Sequence, residues 1–243
     1  GQHRRAAIEQ ALKENPDLGE ETIAVVFFHD AGLARCQQMF ADLNRHAVRP
    51  PRSIGVLYDH RDDLAIMARL LAMKSPVFKG HVEMESSTLA QRSRKLFTLS
   101  AVYSATQSLL QGLEIKKEKA QELAEAYWEA VDLVVPEWGM VRKRELAAPE
   151  VRKDYIHSHG IAVHALGRIG NSLVRNSESP QVWHSKLKLL TSVDWSRTNP
   201  DWEGRALIGG RVSKSHQNLT LTVNYLRRHM KLQLSPEEQR VED

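Results

Sequence analysis

From Leu96 to Leu190 the apolar residues recur every three or four positions, and such a chain buries them by stacking helices. Leu96, Leu99, Val102, Tyr103, Thr106, Leu109 and Leu110 form one stripe, which Gly112 breaks. Lys116–Val135 carries a second, with Leu123, Tyr127, Ala130, Val131 and Val134 inward, and Pro136 and Gly139 end it. Met140–Ala147 and Pro149–Tyr155 read as shorter helical pieces. His159–Val174 reads as a helix buried through Ile161, Ala165, Leu166, Ile169 and Leu173, and Gln181–Leu190 as another. The expectation is a helical bundle over this half. After it, Asp201-Trp202-Glu203-Gly204 reads as an aromatic anchor and turn, and Gly209-Gly210-Arg211-Val212 as a flexible basic corner. Leu219–Met230 reads as a helix, and Ser235-Pro236-Glu237-Glu238 as the start of another that frays at its end.

The preceding residues are mixed. A helix through Ala7, Ile8, Ala11 and Leu12 stops at Asn15-Pro16-Asp17, and Ile23–Phe28 reads as a buried strand. A lone helix and strand need neighbours, so the reading is a fragment whose upstream sheet is missing. A helix from Arg35, striped by Met39, Leu43 and Ala47, stops before Pro50-Pro51. The apolar run Ser53–Tyr58 then places Asp59, His60 and Arg61 at the mouth of a site. Leu64, Met67, Ala68 and Leu71 continue as a helix whose first turn holds Asp62 and Asp63. Phe78–Glu85 reads as a short strand. Ser86–Arg94 is a polar loop that covers a site or rests on a neighbouring subunit.

With 243 residues, 42% of them hydrophobic, the chain can build one sizeable core or two small ones. A net charge of +4 and a pI near 9.2 permit nucleic acid or a phosphorylated ligand without demanding either. No apolar run is long enough for a bilayer and no leader is legible, so a cytoplasmic protein with no membrane partner is expected. The single cysteine, Cys36, excludes an internal disulfide and reads as core packing. No metal-ligand spacing occurs.

Gly1-Gln2-His3-Arg4-Arg5 is the first candidate site. Glycine lets a ligand approach the backbone, free amides at a helix start hold phosphate, and arginine adds a charged fork. The same residues also suit an ordinary capped helix. The second candidate is the mixed polar face of Gln38, Asp42, Asn44 and Arg45, followed by Asp59 and Arg61. The third is basic: Arg142-Lys143-Arg144, Arg152-Lys153, Arg168 and Arg175, with His157 and His159 among them, and a smaller group at Arg211 and Lys214. Such cations attract a DNA backbone, and equally they solvate short helices.

GQHRRAAI, FADLNRHA and LYDHRD together resemble the DGQHR-domain family, in particular its DndB-like members linked to DNA phosphorothioation, and GQHRR is distantly similar to the phosphate-cradling box of ParB-like domains. The resemblance implies a truncated ParB/DGQHR-like α/β domain over residues 1–95, followed by a helical domain over 96–243. The whole is then α+β and mostly helical. It implies a regulator, a repressor binding promoter DNA of a sulfur-modification gene cluster, and the sequence itself offers Arg142, Lys143, Arg144, Arg152, Lys153, Arg168, Arg175, Arg211 and Lys214 as candidates for that contact. It also leaves open self-association or contact with sulfur-modification proteins. Gly1, Gln2, His3, Arg4, Arg5, Gln38, Asn44, Arg45 and Arg61 would line a nucleotide site. In the rival reading, a ParB-like NTPase, Asp59 or Asp42 holds a divalent ion or orients water. No Walker-type phosphate loop exists, so hydrolysis would follow another route. A third reading is a protein-interaction module with a large apolar patch. Asp42, Asp59, Asp62 and Asp63 give no dependable two-metal spacing for a nuclease.

Overall fold

Thr98 and Gly167 decide the centre of the molecule. In the computed structural model, which describes residues 2–25, 32, 33, 35, 37–39, 50–176, 179–213 and 215–242 (with the side chains of Gln2, His3 and Arg4 excepted), Thr98 caps helix α4 (Leu99–Leu110) by accepting from the Ala101 amide. Helix α8 (Gly160–Asn176) crosses it so closely at Gly167 that a methyl there would overlap the carbonyl oxygen of Ala105. Gly170 admits Tyr127 and Leu109 in the same way. Leu99, Val102, Ala105, Thr106 and Leu109 face this crossing and are buried, as the stripe requires.

Contacts divide the chain into two compact units, Gly1–Arg49 and Pro50–Asp243. In the first, α1 (Gln2–Glu14) runs into a 3-10 turn, Pro16–Glu20, which Asn15 caps through the Asp17 amide. Arg5 pairs with Glu9 one turn on, both exposed. The expected packing face is open: Ile8 and Leu12 are 40% and 38% exposed. Of the expected strand, Ile23–Val25 has no regular structure and Ile23 and Val25 are exposed, where a central strand would bury them; Val26–Phe28 lies outside the described residues.

The second unit is mostly helical, with two small sheets. Ser53–Tyr58 belongs to a helix, α2 (Arg52–Tyr58), and not to an extended run, because Ser53 is pinned from both sides. Its hydroxyl donates to the Ser86 carbonyl and accepts from the Ser100 amide, and its own amide donates to Ser87. Arg69 of α3 (Asp63–Lys74) closes the end of α2 by donating to the carbonyls of Val56, Leu57 and Asp59. The expected strand at 78–85 shrinks to β1 (Val82–Glu83), which pairs in parallel with β2 (Phe97–Thr98).

Helix α5 (Lys117–Asp132) brings Tyr127 and Trp128 into the core. Pro136 starts α6 (Pro136–Arg142), where its missing N–H costs nothing. The expected helical piece at 140–147 is therefore the end of α6 and a turn. Next come α7 (Ala148–Asp154) and α8, then α9 (Pro180–Leu187) and a 3-10 turn. Phe78, Phe97, Trp128, Trp138 and Tyr127 meet edge to face, each pair worth about 0.5–1.5 kcal/mol beyond its burial. Trp202, the expected anchor, is fully buried and stacks on Trp195. The basic corner is an antiparallel hairpin of β3 (Leu207–Ile208) and β4 (Arg211–Val212).

Helix α10 (His216–His229) packs on α8, and α11 (Pro236–Glu242) on α10. Ser235 and Glu238 form a reciprocal capping box at the start of α11. Arg227 grips Glu238 through both carboxylate oxygens, and Arg205 and Arg228 hold Glu242. Burial alone would raise the Glu238 carboxyl, but the Ser235 amide and Arg227 outweigh it and hold it below its ordinary value.

Candidate functional site

Gly1, Asp42, Asn44 and Arg45 lie outside the described residues, as do the side chains of Gln2, His3 and Arg4; Lys214 of the basic group does too. Gln38 and Arg61 are exposed. Asp59 accepts from the amides of Arg61 and Asp62, and these two bonds hold its carboxyl below its ordinary value. Asp62 caps α3 through the Leu64 amide and accepts from the Tyr103 hydroxyl. Among the described residues no three His, Cys, Asp or Glu side chains gather as metal ligands.

The basic residues divide by what they touch. Arg142 pairs with Asp132, Arg168 donates to Thr220, and Arg175 donates to the Gln111 carbonyl. Arg152 is 9% exposed and donates to four carbonyls, those of Ala90, Gln91, Ser93 and Lys95. His157 is wholly buried; burial, helped by His159, pushes it down to about 3, so it is neutral and accepts from Trp138 at 3.0 Å, with Glu137 at 3.5 Å from its other nitrogen. Burial also lowers His159. Lys143, Arg144, Lys153 and Arg211 are exposed, and their side chains make no hydrogen bond or ion pair among the described residues.

A cavity of about 660 Å³ opens within the second unit, in the size range of ligand pockets. Arg152 positions one wall: its four bonds hold the 90–95 strap, and Ser87, Thr88 and Leu89 just before it line the cavity. The first turns of α4, α8 and α10 supply much of the rest, through Ser100 and Ala101, Gly160 and Ile161, and His216 and Leu219. Three helix N-termini thus bring their partial positive charge to one space. Thr98 caps α4 and Ser215 caps α10. At α8 no side chain among the described residues caps the amides of Gly160, Ile161 and Ala162, which have no acceptor within the helix.

The lining carries Arg52, Arg152, His159, His164 and His216, and neither aspartate nor glutamate. Burial pushes His164 down to about 4, helped by Arg168, Arg52 and His216, so the imidazole is neutral and bonds to Ser108 at 2.8 Å. Ser158, also in the lining, is 4% exposed, and its hydroxyl has no partner among the described residues. The chemistry of this space suits an anion. No sequence motif points to it; the trace in the sequence is a Ser or Thr just ahead of each of three helices, at Thr98, Ser158 and Ser215.

The family model described as DndB, DNA-sulfur modification-associated, matches residues 1–233. The chain belongs to the DndB family. No curated protein matches it, and no solved structure does. This DndB-family protein is accordingly tied to DNA sulfur-modification systems. Among its described residues no helix is long and apolar enough to cross a membrane.

Proposed function

We propose that this DndB-family protein is a DNA-binding transcriptional regulator, a repressor of a DNA phosphorothioation gene cluster. The family's link to DNA sulfur modification supports the reading, and one observation on this chain carries it: Lys143, Arg144 and Lys153 remain exposed and unpaired among the described residues, while the arginines beside them are spent on the fold. Lys143 and Arg144 follow α6, and Lys153 lies in the last turn of α7, the next helix. A phosphate backbone takes such cations without reordering the core. Binding to promoter and unrelated duplexes is measured across a salt series, for the parent and for a Lys143→Gln, Arg144→Gln, Lys153→Gln triple variant. The parent prefers the promoter, and the triple variant loses affinity on all duplexes with a salt slope smaller by about 3. An unchanged slope removes these residues from the interface, and the absence of promoter preference removes the repressor.

A further inference from the structure

We infer that the cavity at the start of α8 is a binding site for the phosphate or sulfate group of a small molecule. Three observations converge on it. Among the described residues nothing accepts from the α8 amides of Gly160, Ile161 and Ala162, and a helix of 17 residues presents its full partial charge there. Ser158, two residues earlier, belongs to the cavity lining at 4% exposure, and its hydroxyl has no partner among the described residues, which leaves its proton for an acceptor. Every charged or titratable group among the described lining residues is basic.

The roles divide by what each group has left to give. Arg152 has spent both terminal nitrogens on carbonyls, so it contributes field and holds the wall. Arg52 lies over the Tyr103 ring and donates to no acceptor among the described residues, which leaves its fork for the anion. His164 and His216 border the same space. Leu89, Leu96, Ile161, Val212 and Leu219 offer apolar wall to whatever body carries the oxyanion. A cation has no carboxylate partner among the described residues of the lining. The site is independent of the DNA-binding reading: Lys143, Arg144 and Lys153 do not line it.

The test follows the His164 ring signals of the full chain by NMR, with calorimetry in parallel, against inorganic phosphate, inorganic sulfate and phenyl phosphate, with phenol as the control lacking the oxyanion. The expected result is saturable movement of His164 with an oxyanion and none with phenol. Phenyl phosphate binding at least tenfold tighter than inorganic phosphate identifies an esterified ligand; equal affinity identifies the free ion. Arg52→Gln, at an exposed position, weakens binding about tenfold, the loss of one charge-assisted hydrogen bond. Ser158→Ala weakens it further without moving the Tyr127 or Trp128 signals of the core. If none of the three oxyanions moves His164 at 20 mM, or if Arg52→Gln and Ser158→Ala both bind as the parent does, the assignment is wrong.

Discussion

Helix α8 has two very different surroundings along one axis. Its middle presses against α4 with no room for a methyl at Gly167, while its first turn opens onto a cavity with its amides unspent. The same residue type serves both ends. At Gly167 glycine permits a backbone-to-backbone approach, whereas at Gly160 a methyl would meet only the Ala101 side chain, at an ordinary 3.7 Å. Close packing in one place is what holds the other place open: with α4 locked to α8, the two helix starts cannot slide together to fill the gap.

Four measurements would break or sharpen this contrast. The largest effect belongs to Gly167→Ala, where the new methyl strikes backbone and not a movable side chain. It should cost about 3 kcal/mol in urea unfolding, and a loss under 1 kcal/mol would mean that the crossing is loose. Acidification comes next. His157 is neutral when folded, down to about pH 3, while in the unfolded chain it takes up a proton near 6.5. Stability is therefore full above pH 6.5 and falls as pH drops, by about 2 kcal/mol at pH 5 for this buried group. His164 adds a smaller share because it is partly exposed. Unfolding midpoints from pH 7 to pH 5 check the slope, and His157→Asn should flatten it.

Gly170→Ala should cost about 1–2 kcal/mol, since the methyl meets the Tyr127 ring at 2.5 Å and Leu109 at 2.6 Å, and side chains give more readily than backbone. A cost equal to that of Gly167→Ala would show that the ring is as fixed as the chain. The smallest effect has the opposite sign. Gly160→Ala should stabilise the protein by about 0.4–1 kcal/mol, by restricting the unfolded chain at a site where a methyl fits. Destabilisation would mean that the first turn of α8 is packed after all.

Long helices were legible in the sequence because an amphipathic stripe of three turns or more has one physical reading. The stripes through Val102 and Leu109, and through Ile161 and Leu173, are buried as written. Short elements were not. Ile54, Gly55 and Val56 have poor helix propensity, and α2 forms because Ser53 and Arg69 bond its two ends from distant segments. Pro136 carries two meanings, an end to one helix and a start to the next, and it holds the second, since α5 has already ended at Asp132.

The sites were less legible still, for a geometric reason. Arg152 and Lys153 are adjacent and read alike, yet one points into the protein and the other into water. The cavity depends on three helix starts drawn from residues 98 to 219, a convergence that no local pattern records. The GQHRR and FADLNRHA segments carried the family resemblance correctly, and the family model confirms membership over residues 1–233. Of the residues expected to line a nucleotide site, Arg5, Gln38 and Arg61 are described and exposed, and the others lie outside the described set in whole or in their side chains.

Arg152 is a tether made of a single side chain. One planar group reaches four carbonyl oxygens along a six-residue strap that has no ladder of its own. Lysine would keep the charge but gather its donors on one nitrogen, and it could not span that arc. A substitution usually counted as mild would therefore release the rim of the cavity while leaving the net charge untouched.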